Sequence, residues 1–305
     1  METRPLHPQF ATFAAEIVGV DISTELDPGV IRDIEKAIDT FAVVVFRDQK
    51  LSIEEQIRFG RRFGPLEGAT LQARADNKHR TPYPEIVDIA NLDEKNNLQS
   101  VEDRRRVYNL GNRLWHTDSS FRALRGALSM LFARVIPPVG GETEFADLRA
   151  AYDALPADIK AQADPLWVEH DRTFGRAMLG VTNYTPEEIA AFPPVKHKLV
   201  QVHPTSRRTT LYIAAHAKDV VGWPVPDSRL FLRELMEWAT EREFVYRHQW
   251  RVGDLVIWDN RCTMHRGRPF DESYARDLTR VTTSDVGYVG TASSSKRETT
   301  TLPAH

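Results

Sequence analysis

Cysteine is almost missing from this chain. Cys262 is the single one among 305 residues, so no intrachain disulfide can form, and a reducing compartment is compatible. No apolar run approaches the roughly 20 residues needed to span a bilayer. The opening stretch METRPLHPQFATFAAEIVG lacks the basic region, apolar segment and cleavage site of a secretory signal, so a cytoplasmic protein is expected. A surplus of one charge is absent too. Forty Lys and Arg against 43 Asp and Glu leave a net charge of −3, interspersed along the chain, which argues against nucleic-acid or anionic-membrane partners. G-x-G-x-x-G, Walker and H-E-x-x-H motifs are all lacking, and no internal repeat is visible.

What is present is an ordinary globular composition, 41% hydrophobic and 27% charged, long enough to bury a core without disulfides or a structural metal. Residues 27–39 read as a helix, with Asp27 as cap, Pro28 in the first turn and Val30, Ile31, Ile34, Ala37 and Ile38 at helical spacing. FAVVVFR reads as a buried strand. Ser52 and Glu55 form a capping-box pattern that opens a second helix, ended by Gly64. Residues 66–112 are polar around one strand candidate, EIVDIA, and fit either a binding loop or a surface excursion. MLFARVI, HKLVQVH, TTLYIAA, FVYRHQW and DLVIWDN read as strands, with VGD at 252–254 as a tight connection between the last two. Helical patterns are inserted at 151–191 and 226–240 rather than alternating with strands. That favours a mainly β sandwich or barrel over a doubly wound parallel sheet. ASSSKRETTTLPAH at the end of the chain has too few apolar residues to pack and is expected to be flexible.

The chemistry concentrates in LWHTDSSF, residues 114–121. On a strand, His116 and Asp118 would point to one face and could share a metal ion. The triplet is common by chance, and a polar pair at a strand end is equally compatible with it. His265, next to Arg266-Gly267 just past the apolar run DLVIWDN, is placed at a rim where scaffolded sites are built. Two histidines and a carboxylate suit Fe(II), leaving coordination positions open, and also suit hydrolytic zinc. Arg276 and Arg280 are four residues apart. On a strand both would face one side, suited to two anionic guests through planar guanidinium forks, or to surface salt bridges. Trp115 and Trp258 flank the candidate ligands and are read as core packing.

These residues resemble the Fe(II)/2-oxoglutarate-dependent dioxygenases of the taurine dioxygenase family. The similarity runs to about residue 284 and includes VVVFRDQKLS, RRFGPLEG, LWHTDSSF, PPVGGETEFADLRAAYDALP, EREFVYRHQW and GDLVIWDNRCTMHRGR. It is nearer the branch acting on aryloxyacetates such as 2,4-dichlorophenoxyacetate than the taurine branch. The resemblance implies a double-stranded β-helix, or jelly roll, as a single domain over 1–284, followed by a flexible tail over 285–305. It implies His116, Asp118 and His265 as iron ligands, with 2-oxoglutarate and O2 as cosubstrates. Thr143 and Arg276 would hold the far carboxylate of 2-oxoglutarate. Arg280 would bind the acid of a small carboxylate substrate, with Asn112 near it, in a homo-oligomer. Three other readings stand beside it: a sibling oxygenase acting on a sulfonate, an alkyl sulfate or another aryl carboxylate; a zinc-dependent hydrolase; and a non-catalytic, cupin-like metal-binding protein.

Overall fold

The structure, a computed structural model, describes residues 1–6, 9, 11–68, 80–100, 103–182, 184–287 and 291–292. Its local elements follow the capping chemistry. Asp27 accepts from the Gly29 N–H at the start of helix Pro28–Phe41, whose Ile31, Ile34, Ala37 and Ile38 form the buried face. Ser52 and Glu55 cap each other's backbone at helix Ile53–Gly60. A short 3₁₀ turn, Arg61–Phe63, follows before Gly64 breaks the path at φ 140°.

Seven strands make the larger sheet, in the order Glu2–Pro5, Ala15–Val18, Val43–Phe46, Leu255–Asp259, Gly126–Val135, Asp277–Ser284, Val87–Ala90. All neighbours are antiparallel except Ala15–Val18 with Val43–Phe46. The run VVVF is buried throughout because both faces of this sheet are covered. Val44 and Phe46 pack with Ile34, Ile38, Ile57 and Phe59 under the two helices. Val43 and Val45 turn the other way, toward Leu131, Val256, Trp258, Phe145 and Tyr246. Phe145 and Tyr246 belong to a second, three-stranded sheet ordered Val245–His248, Thr143–Asp147, Thr263–Gly267. The two sheets face each other as the walls of a jelly roll, and the site lies between them. Helices Leu148–Ala154 and Val225–Ala239 close a third apolar cluster outside the smaller sheet. No helix of the described residues is long and apolar enough to cross a membrane.

Three sequence expectations are corrected. The VGD turn is tight, with Gly253 at φ 88°, but it does not join hydrogen-bonded neighbours. It carries the chain from the smaller sheet to the larger one, where Gly253 N–H donates to the Ala133 carbonyl. HKLVQVH divides at Leu199 into Val195–Lys198 and Val200–Val202; Leu199 itself donates to Leu166 and accepts from Tyr212. Third, the segment 66–112 is not one long loop. Besides the expected strand, at Val87–Ala90, it contains helix Arg104–Asn109 and a 3₁₀ turn Leu110–Arg113. Residues 69–79 and most of the tail expected to be flexible, 288–290 and 293–305, lie outside the described residues.

Candidate metal and cosubstrate site

His116 and Asp118 are not on a regular strand. His116 makes an isolated antiparallel bridge with His265, each N–H donating to the other's carbonyl at 3.0 and 2.7 Å. Asp118 begins a turn in which Ser119 adopts φ 59°. His265 in turn sits in the middle of strand Thr263–Gly267, not beyond a strand end. The triad nevertheless assembles. One ligand atom from each of His116, Asp118 and His265 lies within 4.8 Å of the other two. His116 Nε2 is 3.9 Å from Asp118 Oδ1, and His265 Nε2 is 3.9 Å from Asp118 Oδ2.

Asn260 makes this arrangement rigid. Its Oδ1 accepts from the Asp118 N–H and from Trp258 Nε1, both at 3.0 Å, and its Nδ2 donates to Ser129 Oγ at 2.9 Å. Ser129 passes the bond on to Asp118 Oδ2 at 2.6 Å. Neither residue was found from the sequence. The available signal was Ser129 itself, a hydroxyl at the centre of the buried run GALSMLFARV.

The protonation states suit metal binding. Burial pushes the Asp118 carboxyl up, but Arg280, His265 and His116, with the Ser129 hydroxyl, outweigh it and hold the group down at about 2. Burial lowers His116, with Asp118 opposing, and lowers His265 well below the ordinary histidine range. His116 Nδ1 lies 2.8 Å from the Leu114 carbonyl, which fixes the proton on Nδ1 and leaves Nε2 as a lone-pair donor. The Nδ1 of His265 is buried without a hydrogen-bond partner. Two neutral imidazoles, each with Nε2 facing the ionised Asp118 carboxylate, fit an Fe(II) ion with open positions.

The cavity over the triad is lined by His116, His265, Thr143, Arg276, Arg280 and Asn112 among others, so the structure brings every sequence-predicted site residue together there except Asp118. Asp118 does not reach the wall; Arg280 does, and donates through Nη1 to Asp118 Oδ1 at 2.6 Å. Arg276 is different. It is 8% exposed, and burial alone pulls its pKa down to about 10. Among the described residues no carboxylate pairs with it. Its Nη2 donates to the Gly141 carbonyl at 3.3 Å, Phe270 lies 5.7 Å from the guanidinium, and Nε has no partner. A buried guanidinium without a counter-ion is costly and calls for an anionic guest. Thr143, opposite, accepts from Trp250 Nε1 at 3.0 Å, which leaves its own hydroxyl proton to donate. The set fits a carboxylate at the Arg276 end and a metal at the triad.

A second cluster, His203, Asp259 and Cys262, also has its ligand atoms within 4.8 Å. There Arg261 grips Asp259 through Nε and Nη2 at 2.8 and 2.6 Å, and His203 Nε2 lies 2.9 Å away. Burial and the Asp259 charge push the Cys262 thiol well above its usual range. The carboxylate already has its cation and the thiol is not a thiolate, so this is a structural ion pair.

Comparison with known proteins agrees with this geometry. Residues 2–282 match the family described as "Taurine catabolism dioxygenase TauD, TfdA family". The chain is 47% identical over 281 residues to the alpha-ketoglutarate-dependent 2,4-dichlorophenoxyacetate dioxygenase of Cupriavidus pinatubonensis, covering 92% of this chain and 96% of that protein. It is 34% identical to the (S)-phenoxypropionate/alpha-ketoglutarate-dioxygenase of Sphingobium herbicidovorans, covering 88% and 91%. The crystal structure of AAD-2 in complex with Mn(II) and N-oxalylglycine superposes with a TM-score of 0.89 at 43% identity, covering 93% of this chain and 97% of that one. The chain therefore belongs to the taurine catabolism dioxygenase TauD, TfdA family and is a 2-oxoglutarate-dependent dioxygenase that uses Fe(II), 2-oxoglutarate and O2.

Proposed function

We propose that the protein hydroxylates the ether-side CH2 of an aryloxyacetate such as 2,4-dichlorophenoxyacetate. 2-Oxoglutarate and O2 are consumed, and succinate, CO2, a phenol and glyoxylate are released. The observation that carries this reading is the pair of guanidinia on the wall of one cavity. Among the described residues Arg276 has no carboxylate partner, and Arg280 is bound to a triad carboxylate. Two cations spaced along the wall beside a His-Asp-His triad provide for two acids, a cosubstrate and a substrate. The 2,4-dichlorophenoxyacetate and (S)-phenoxypropionate dioxygenases among the relatives support an aryloxy acid as the second.

In this reading His116, Asp118 and His265 hold the iron. Each Asp118 oxygen already accepts one hydrogen bond, from Arg280 and from Ser129, and keeps a further lone pair. Iron bound there supplies the redox chemistry that couples oxidative decarboxylation of 2-oxoglutarate to hydroxylation of the substrate. Arg276 pairs with the far carboxylate of 2-oxoglutarate, and Thr143 donates its hydroxyl to the same group. Arg280 binds the substrate carboxylate and so fixes which carbon faces the metal. Asn112, on the Leu110–Arg113 turn, lines the substrate side. Once hydroxylated, the ether carbon is a hemiacetal, which collapses to the phenol and glyoxylate. The catalytic unit is read as residues 1–284, a reading the family match over 2–282 supports.

The test is succinate and phenol release by purified protein with Fe(II), 2-oxoglutarate and O2, comparing 2,4-dichlorophenoxyacetate with taurine. Equimolar succinate and phenol with the aryloxyacetate alone is the expected result. Succinate without phenol would overturn the substrate assignment and turn attention to sulfonates, alkyl sulfates and other aryl acids.

A further inference from the structure

Arg276 precedes strand Asp277–Ser284 by one residue, where the sheet cannot yet hold it. What holds it is Asn91, one residue beyond strand Val87–Ala90. The Arg276 N–H donates to Asn91 Oδ1 at 2.8 Å, and the Asn91 N–H donates to the Arg276 carbonyl at 3.2 Å. The other end of the same side chain donates from Nδ2 to the carbonyls of Tyr274 and Glu272 at 2.9 and 3.3 Å. Asn91 thus takes hold of both peptide groups of Arg276 and of the loop leading into it. Only a side chain with an acceptor and two donors on one short stem can do this; Asp would set a second anionic oxygen against two carbonyls.

The same residue reaches the segment over the cavity. The Asn91 carbonyl accepts from the Gln99 N–H at 2.9 Å. Glu272, whose carbonyl Asn91 holds, is bound through its carboxylate by Arg106 and by Arg113 at 2.8 Å. Arg106 and Arg113 flank Asn112 on the helical segment above the triad, and Asn91, Arg106, Arg113 and Glu272 all line the cavity.

We infer that Asn91 is a positioning residue for 2-oxoglutarate. By fixing the Arg276 backbone it aims a guanidinium that has no carboxylate partner among the described residues, and it ties that aim to the segment carrying Asn112. The inference rests on the reading of Arg276 as the cosubstrate clamp. Losing the side-chain hydrogen bonds at the clamp's root should loosen the guanidinium's aim and weaken 2-oxoglutarate binding by about tenfold.

The experiment is calorimetric binding of 2-oxoglutarate to the Mn(II)-loaded protein, without turnover, for Asn91→Ala, Arg276→Ala and the double variant. Thermal unfolding of each is followed in parallel. Asn91→Ala should weaken binding about tenfold, and in the double variant it should add little to the loss caused by Arg276→Ala, because it acts through that side chain. Asn91→Gln, which keeps the amide but moves it outward by one methylene, is the second variant and should weaken binding in the same direction. A lower melting temperature with unchanged affinity would make Asn91 merely structural and overturn the inference. Fully additive losses in the double variant would overturn it as well. If Arg276→Ala itself leaves binding unchanged, the clamp reading has failed and the inference falls with it, a result told apart by that single variant.

Discussion

Arg280 and Asp118, which the proposed function places in separate roles, share one ion pair: Nη1 to Oδ1 at 2.6 Å, with Arg280 on the cavity wall and Asp118 behind it. The guanidinium is the largest of the influences that keep Asp118 ionised against its burial. In the proposed function a substrate acid arriving at Arg280 would meet a group already paired with the carboxylate proposed to hold the metal. On that reading, substrate binding and the electrostatics of the triad would be joined through one side chain.

Arg280→Ala should raise KM for an aryloxyacetate ten- to a hundredfold, since hydrogen bonds to charged groups are worth about 1.5–3 kcal/mol. The KM for 2-oxoglutarate should change by less than about threefold, Arg276 being untouched. Steady-state kinetics with each substrate varied in turn provides the check. Equal rises for both would remove the assignment of Arg280 to the substrate.

Asp118→Ala should leave the protein unable to retain one Fe(II) or Mn(II) per chain, read by elemental analysis after desalting. Two imidazoles alone do not complete the three-ligand set. Retention of stoichiometric metal by a folded variant would refute the ligand role.

Gly141→Ala tests the cradle of Arg276. Gly141 has φ 73°, and an added Cβ would lie 3.3 Å from Arg276 Nε. Backbone strain should cost about 1 kcal/mol of stability, and displacement of the guanidinium should weaken 2-oxoglutarate binding. Gly19→Ala, at φ 80° with no atom within 4 Å, is the matched control. It should lose similar stability and bind 2-oxoglutarate unchanged.

Stability of the metal-free protein should fall as pH drops from 8 through 6.5 and below. Burial lowers His116, His170, His197, His216, His248 and His265, with His197 at about 4. Between the lowered folded values and the unfolded value near 6.5, the unfolded chain binds protons that the folded one refuses. Each such histidine then removes up to about 1.4 kcal/mol per pH unit. Asp118, held down at about 2, stays ionised across this range and adds nothing to the slope. Melting temperatures at constant ionic strength give the sign directly, and a rise on acidification would contradict it.

Asp259→Asn separates the two clusters. It strips the charge from a buried carboxylate gripped by Arg261 and His203, and breaking such a pair costs about 3–5 kcal/mol. Metal stoichiometry should stay at one per chain while the melting temperature falls. A loss of bound metal would show that this cluster contributes a site.

Legibility in the sequence varied with the kind of information. Residue types offered His116, Asp118 and His265 only as candidates, since the triplet is common by chance; the family resemblance is what drew the three together. Capping carried the first two helices, because Asp27 and the Ser52–Glu55 pair act within a few positions of themselves. The local shape around Asp118 was not readable: a strand was expected, and the turn is held by Asn260, 142 positions away. VGD announced a reversal, yet turn residues do not say which sheet the next strand will join. Arg276 and Arg280 do line one cavity, but Arg276 lies just before a strand whose register shifts between Asp277 and Leu278, so even spacing alone does not account for it. Among the described residues Arg276 pairs with no carboxylate, and its neighbour Asp277 is bound by Arg80, at 2.9 Å, from a remote segment.

The bridge between His116 and His265 is made by peptide groups alone, so the seam at the heart of the site does not depend on what either residue carries. The two positions are held in register by donors and acceptors that every amino acid except proline possesses. Exchanging either imidazole for another group should therefore alter the chemistry while leaving these two backbone bonds available. In that sense the frame is reusable: its ligands are interchangeable parts mounted on a fixed fitting.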